Sequence, residues 1–162
     1  MHYAGTIAGM AFANSFLGIC HSMAHKLGST FNLPHGLANA LLINPVIHYN
    51  ATDVPVKQTS FPQYKYPLAK RRYSEIANHL GLPGEGDTEK VHHLTAAIKE
   101  LARELNIPVS IKELGISRDS FLQELDRMAE LAFDDQCTLA NPRYPLIEEI
   151  KELYLQAYHG EI

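Results

Sequence analysis

The sequence has little cysteine, no long apolar run and no large excess of charge of one sign. Its two cysteines, Cys20 and Cys137, cannot build a disulfide framework, which favours a reducing compartment. No apolar run approaches the ~20 residues that a membrane-spanning helix needs. The first residues, Met1-His2-Tyr3, lack the basic stretch that opens a secretion signal. We therefore expect a cytoplasmic protein without a membrane partner.

Positive and negative charges are interspersed along the chain. The 14 Lys and Arg residues stand against 18 Asp and Glu, which gives a net charge of -4. No basic stripe is present, and the run from Lys70 to Arg72 is typical of a solvated helix start, so no nucleic-acid partner is expected. With 162 residues, of which 46% are hydrophobic, the composition predicts one domain over 1–162 with a core of its own.

Helical periodicity dominates the chain, and no segment alternates with period two for long enough to be a strand. Glycine, proline and capping signals divide the periodic stretches and predict an all-helical bundle of about six to eight helices. The segment 51–67 carries Pro55, Pro62 and Pro67 and is predicted to be an ordered surface loop. The first helix is apolar all round, which predicts that it is buried. The predicted helices cover 3–17, 18–31, 35–49, 68–80, 87–105, 118–133 and 145–158.

Three of the nine histidines form a pattern that suggests chemistry. His21 and His25 are four residues apart, which places both imidazoles on one face of a helix. His35 follows Pro34 at the start of the next helix, across a short turn, so the three rings could converge. Converging imidazoles suit zinc or iron. The alternative is that each ring is simply hydrogen-bonded in the fold.

The remaining candidates favour structural roles. Glu75 and His79, like Glu89 and His93, have helical spacing on charged helices, which is typical of exposed pairs. Cys20 and His21 are adjacent, so on a helix their side chains diverge and make a poor nucleophile and base. Cys20 is instead expected to be a small buried hydrophobe. The histidines expected to be structural or exposed are His2, His48, His92 and His159.

The histidine segment resembles a known family. HSMAHKLG at 21–28, followed by PHGLANA at 34–40, resembles the second signature of the iron-containing alcohol dehydrogenases, and AGMAFAN at 8–14 matches as well. The resemblance covers the whole chain and is closest to the C-terminal part of the bifunctional aldehyde-alcohol dehydrogenases. Features specific to that subgroup are the loop 51–67, RRY at 71–73, and FDDQC at 133–137 running on to NPRYP at 141–145.

The resemblance implies a fold and a division of roles. Enzymes of this family combine an N-terminal nucleotide-binding domain with a C-terminal helical domain of the dehydroquinate synthase-like fold, and one Asp and three His hold Fe²⁺ between them. His21 and His35 match two of these ligands. His25 matches a histidine that is not a ligand but faces the nicotinamide and the substrate, which makes it the expected catalytic and cofactor-binding residue. The family's Asp-x-x-x-His segment and Gly-rich nucleotide motif are absent, so the chain is expected to begin inside the helical domain, without the nucleotide-binding domain.

The expected function is therefore part of an NAD-dependent, iron-dependent alcohol dehydrogenase that interconverts acetaldehyde and ethanol. NAD would be bound mainly by the missing domain, zinc could substitute for iron, and the chain alone would be inactive. A homo-oligomer or filament is expected, and the face that would meet the missing part of the helical domain is expected to be apolar and exposed, near residues 5–40. One alternative function is a non-catalytic assembly module. Another is a zinc hydrolase built on His21, His25 and His35. Phe12, Phe16 and Met23 are expected to line the substrate side.

Overall fold

A computed structural model describes residues 1–53 and 68–160. Every regular element within these ranges is helical, as the periodicity predicts, and the boundaries fall within two residues of those expected. Most of the predicted loop at 51–67 lies outside the described residues. The helices are α1 (His2–Ser15), α2 (Ile19–Phe31), α3 (His35–Asn50), α4 (Ala69–His79), α5 (Asp87–Glu104), α6 (Arg118–Phe133) and α7 (Ile147–His159), with 3₁₀ turns at Lys112–Leu114 and Gln136–Ala140.

Helix α2 lies at the centre of the core, between α3 and α6. Ile19, Met23 and Leu27 are four residues apart, so they form one stripe along α2, and all three are completely buried. Each fully buried side chain of this size contributes about 1.5–3 kcal/mol of hydrophobic stabilisation. On α7, the buried Tyr154 donates a hydrogen bond to the Met23 carbonyl at 2.8 Å. The core therefore fixes both the position and the rotation of α2.

Helices α4 and α5 pack against each other and attach to the outside of α3. His48 on α3 lies 3.0 Å from the Thr95 hydroxyl on α5, measured from its Nε2 atom. The Asn44 amide donates to the Thr95 carbonyl at 3.2 Å. Both bonds join α3 to α5, and His48, expected to be structural or exposed, has a structural contact.

The prediction that the first helix is buried is wrong. Helix α1 contains no buried residue, and Ile7 and Met10 are each 66% exposed. The apolar composition of α1 indicates that another surface should cover it, but does not identify that surface. None of the other described elements covers it. The expected exposed apolar face near residues 5–40 is confirmed at α1.

A sharp bend separates α1 from α2. Phe16 ends α1 with a φ of +63°, a conformation that is uncommon for a bulky side chain, and the two helix axes differ in direction by 112°. Within the described residues no single helix is long and apolar enough to cross a membrane. Only α1 and α2 taken together, as this bent pair, meet that test of length and composition.

Asn141 fixes the start of α2 from the segment that links α6 to α7. Its Oδ1 accepts hydrogen bonds from the Ile19 backbone N–H (3.2 Å) and from the Asn50 amide (3.3 Å). Its own amide donates to Asn50 Oδ1 (2.8 Å) and to the Arg143 carbonyl (2.6 Å). Glycine at position 18 is required for this contact, because a Cβ there would lie 2.7 Å from Asn141 Oδ1.

Asp135 holds the same segment against the middle of α2. Its Oδ1 accepts a hydrogen bond from the Cys137 backbone N–H (3.0 Å), and its Oδ2 pairs with the Lys26 ammonium (2.9 Å). Burial acts to raise the pKa of Asp135. The bonds from Cys137, Lys26 and His25 outweigh burial and hold the pKa of this carboxyl well below its usual range.

We expect replacement of Asn141 by Ala to lower the free energy of unfolding by about 3 kcal/mol, since it leaves buried partners on Ile19 and Asn50 unsatisfied. Urea unfolding followed by circular dichroism would measure the change. The control is Asn14→Ala, because Asn14 bonds one turn back in its own exposed helix; it should change the free energy by less than about 0.5 kcal/mol. Equal effects of the two substitutions would contradict the role given to Asn141.

Asp135→Asn should destabilise the chain in a pH-dependent way. Because the folded-state pKa is depressed, the stabilisation is fully present above the unfolded-state value of about 3.9 and is lost as the pH falls through the folded-state value. The difference in unfolding free energy between wild type and variant should be about 1–3 kcal/mol at neutral pH and should shrink below about pH 4. Urea titrations across this range, with Asp134→Asn as the control, would test it. A difference that does not vary with pH would contradict it.

Candidate metal centre

The structure brings the three predicted histidines together. His21 and His25 lie one turn apart on α2, and His35 is the first residue of α3. The ring centroids of His21 and His35 are 5.3 Å apart, as are those of His25 and His35, and those of His21 and His25 are 6.3 Å apart. The convergence expected from their spacing is therefore confirmed.

A short connection between α2 and α3 produces this convergence. Asn32 ends α2 in the left-handed conformation, with a φ of +53°, and the Leu33 N–H donates to the Gly28 carbonyl at 3.0 Å. This is a helix ending closed by a left-handed residue. Pro34 then leads directly into α3. The tight reversal leaves His35 facing the α2 histidines across the turn.

His35 is the exposed member of the group. Its Nε2 lies 3.1 Å from the amide nitrogen of Asn39, which also donates to the His35 carbonyl at 3.0 Å. An amide nitrogen can only donate, so this Nε2 accepts and carries no proton. Its lone pair is the one that a cation would take over from Asn39.

His21 is half-buried, and its surroundings favour the neutral ring. Burial lowers the pKa of His21, and like charges on His35 and His25 lower it further. Neutral imidazole is the form that binds metals. The electrostatics of the group therefore suit metal ligation by His21.

His25 differs from the other two because a carboxylate holds it. Its Nδ1 lies 3.3 Å from Asp135 Oδ2. Sequence reasoning missed this partner, because helical spacing reveals only carboxylates one turn away from a histidine, whereas Asp135 is 110 residues away. Asp135 belongs to the segment FDDQC, but nothing in the sequence pattern indicates that it contacts His25.

A second group of metal-type ligands includes His25 itself. The ligand atoms of His25, Asp135 and Cys137 all lie within 4.8 Å of one another. However, the Lys26 ammonium already neutralises the carboxylate. Burial, with the neighbouring Asp135, raises the pKa of the Cys137 thiol to about 11, so this residue keeps its proton at neutral pH. As the structure stands, the group is an ion pair between Asp135 and Lys26, with His25 bonded to the same carboxylate.

An open cavity of about 780 Å³ borders His21 and His35. Its described walls are mainly apolar. Cys20 is only partly buried, not buried as predicted, and contributes to one wall. Loss of hydration raises the pKa of its thiol to about 12, so it keeps its proton at neutral pH and is inert, as predicted. A small, weakly polar molecule would fit beside the two histidines. The apolar lining includes Ile43, Val46, Ile47, Ile76, Leu94 and Ile98.

The aromatic and methionine residues expected on the substrate side are placed differently. Met23 is completely buried in the core, so the prediction that it lines the substrate side is wrong. On a helix that already buries Ile19 and Leu27, position 23 belongs to the same inward stripe. Phe12 and Phe16 are 46% and 47% exposed, on and directly after α1. Neither is among the described residues that line the cavity, and their role remains a prediction.

Comparison with known proteins gives a consistent result. The chain is 60% identical over 162 residues to the bifunctional aldehyde-alcohol dehydrogenase of Escherichia coli (strain K12), covering 99% of this chain and 18% of that protein. It is 41% identical over 160 residues to an NADPH-dependent butanol dehydrogenase of Clostridium saccharobutylicum, covering 99% of this chain and 37% of that protein. The chain thus spans well under half of the length of either relative.

Solved structures and the family's sequence profile agree with this result. An iron-containing alcohol dehydrogenase from Thermococcus thioreducens superposes with a TM-score of 0.78 at 39% identity, covering 99% of this chain and 36% of that one. The fold is therefore that of the family's C-terminal helical domain, as expected. The profile of the Fe-containing alcohol dehydrogenase family, C-terminal part, matches residues 1–158, and the chain belongs to this family.

Proposed function

We propose that this chain, as one helical domain, supplies His21 and His35 as two of the ligands for Fe²⁺ in an alcohol dehydrogenase. The convergence of these rings, with centroids 5.3 Å apart, is the observation that carries the proposal. Two imidazoles, one favoured in its neutral form, suit Fe²⁺ or Zn²⁺. They bring no negative charge to offset the ion, so they fit half of a site, and the remaining ligands would come from the rest of the polypeptide.

The proposed reaction is the NAD-linked interconversion of a short aldehyde, such as acetaldehyde, and its alcohol. Fe²⁺, when bound, supplies a Lewis acid for this class of chemistry. The apolar cavity beside His21 and His35 would hold the alkyl part of the substrate and exclude water. The nicotinamide cofactor would be bound mainly outside this chain, and a cytoplasmic location is part of the proposal. One relative is named as NADPH-dependent, so the choice of nicotinamide needs to be measured.

His25 would move the proton and face the nicotinamide. It lies one turn from His21 on α2, and 39% of its side chain is exposed, so it is accessible to a substrate held at the histidines. In alcohol oxidation its ring would take the hydroxyl proton, and in aldehyde reduction it would return one. This assignment separates His25 from the two ligands, although the three rings form one group.

The hydrolase alternative has less support. A self-contained zinc site would need His21, His25 and His35 to direct their nitrogens at one ion. Among the described residues, the group whose ligand atoms all lie within 4.8 Å contains His25 but neither of the other two.

The exposed α1 favours a second candidate function, a role in assembly. Tyr3, Ile7 and Met10 expose most of their side-chain surface, and apolar surface of this kind is usually covered by a partner. The partner could be the rest of the same polypeptide or another copy in a homo-oligomer or filament. This role is compatible with the dehydrogenase proposal.

We expect His21→Ala and His35→Ala to remove iron from a full-length enzyme. A suitable full-length chimaera replaces the matching segment of the Escherichia coli relative with this chain, since the two are 60% identical over 162 residues. Each substitution should lower bound iron more than about 10-fold and abolish ethanol-dependent NADH formation, because a ligand is lost. His25→Ala should retain iron but lose turnover, and the exposed His79→Ala serves as the control.

The isolated chain provides the complementary measurement. It should bind Fe²⁺ weakly and form no NADH from ethanol and NAD. Dehydrogenase activity of the isolated chain would contradict the claim that the site is incomplete. Stoichiometric zinc that is lost in His25→Ala would favour the hydrolase.

The isolated chain should also self-associate through α1. Sedimentation velocity should show association that increases with concentration and that is reduced by Ile7→Ser or Met10→Ser, since these remove exposed apolar surface. Leu101→Ser is the matched control, because Leu101 is 54% exposed on α5. A monodisperse monomer at high concentration would contradict the prediction.

A further inference from the structure

Asp135 has no part in the chemistry proposed so far, yet it is the carboxylate bonded to the proposed proton-transfer residue. We propose that Asp135 is a positioning residue that holds His25 in the tautomer protonated at Nδ1, so that Nε2 is the nitrogen that exchanges a proton with substrate. This inference rests on the function proposed for His25. Its structural part can be tested without any enzyme activity.

The contact itself determines the tautomer. His25 Nδ1 lies 3.3 Å from Asp135 Oδ2. An ionised carboxylate can only accept hydrogen bonds, so Nδ1 must carry the proton and the neutral ring has its lone pair on Nε2. The carboxylate is nearly buried, with 9% of the side chain exposed, whereas His25 is 39% exposed. In this pair, Asp135 is therefore the buried, fixed group and His25 is the ring that substrate can reach.

Two further bonds keep the carboxylate ionised and stationary. The Cys137 backbone N–H donates to Oδ1 at 3.0 Å, and Lys26 pairs with Oδ2 at 2.9 Å. Lys26 follows His25 on α2, so both groups that bind Oδ2 are carried by one helix. Rotation of the Asp135 side chain would break all three contacts at once. These contacts also hold the pKa of Asp135 well below its usual range, against the effect of burial, which raises it.

The backbone that carries Asp135 is fixed to the core as well. Asp135 immediately precedes the 3₁₀ turn Gln136–Ala140. Within that turn, the completely buried Thr138 hydroxyl lies 2.8 Å from the Ser22 hydroxyl of α2 and 2.6 Å from the Ala132 carbonyl. The distance between Asp135 and α2 is therefore set by buried contacts, as the support of a reactive side chain requires.

The consequence for proton transfer is specific. During alcohol oxidation the substrate hydroxyl would give its proton to Nε2 while the Nδ1 proton remains on the ring. The resulting imidazolium would lie against an ionised carboxylate, which stabilises its charge. During aldehyde reduction the Nε2 proton would be returned. Without Asp135 the ring could rotate or change tautomer, and fewer molecules would present the correct nitrogen.

The test is Asp135→Asn in the 162-residue chain, with ¹⁵N-labelled histidine and NMR of the ring nitrogens. At about pH 9 an ordinary imidazole, with a pKa of about 6.5, is neutral, so the spectrum reports the tautomer. Wild-type His25 should show the Nδ1–H form. In the variant, Oδ1 would still accept from Cys137, so the amide nitrogen would face Nδ1 as a donor and the tautomer should change to Nε2–H.

Two control variants separate an effect on the His25 tautomer from a general effect on the stability of the fold. Asp134→Asn makes the same chemical change one residue earlier and should leave the His25 tautomer unchanged. Lys26→Met removes the cation from Oδ2 but retains the contact between Asp135 and His25, so it should also keep the Nδ1–H form. If Asp135→Asn does not fold, Lys26→Met and the wild-type spectrum still decide the tautomer.

The second readout uses the same substitution in the full-length chimaera. We expect kcat to fall about 10- to 100-fold with little change in KM or in bound iron, as for loss of a residue that orients a reactive ring. Three outcomes would each overturn the proposal. The wild-type His25 ring could be protonated at Nε2, the tautomer could stay unchanged in Asp135→Asn, or the tautomer could change while kcat does not. Absence of alcohol-linked activity in the unsubstituted chimaera would instead refute the proposed function, and the NMR result would still decide whether Asp135 sets the tautomer.

Discussion

The attachment of the segment between α6 and α7 to helix α2 is the constraint on which the rest of the structure depends. Three polar side chains of this segment contact α2 in succession: Asn141 at Ile19, Thr138 at Ser22, and Asp135 at His25 and Lys26. The contacted positions are three or four residues apart, so they form one stripe along the helix. Polar contacts of this kind specify a position more sharply than apolar packing does, because an unmade bond leaves a buried group unsatisfied.

This attachment contacts His25 but leaves another side of α2 available for His21. With Ile19, Met23 and Leu27 turned into the core, His21 is directed toward the turn where His35 begins α3. In the sequence, FDDQC and the Asn141-Pro142-Arg143 stretch are typical of the bifunctional aldehyde-alcohol dehydrogenases, but the sequence gives no physical reason for them. The structure supplies one, because these residues form the frame that holds the histidine helix.

Much of the architecture could be predicted from the sequence because it is local. The spacing of His21 and His25, and the turn before His35, act over fewer than fifteen residues, and α3 begins at His35, the residue predicted. The pairing of His25 with Asp135 spans 110 residues and leaves no periodic signal. The prediction for helix α1 is wrong for a related reason: an apolar pattern requires burial but does not identify the surface that provides it.

The charges explain why His21, His25 and His35 divide into two kinds. The lowered pKa of His21 favours its neutral ring, which is the form that binds a cation. The Nε2 lone pair of His35 accepts from the Asn39 amide alone, so it is suited to bind a cation instead. His25 instead faces a carboxylate, which can only accept a hydrogen bond and so requires its Nδ1 to donate. The neutral His25 ring then has its lone pair on Nε2 rather than on the nitrogen next to Asp135. In the proposed reaction, Nε2 is therefore the nitrogen of His25 that would take and return a proton.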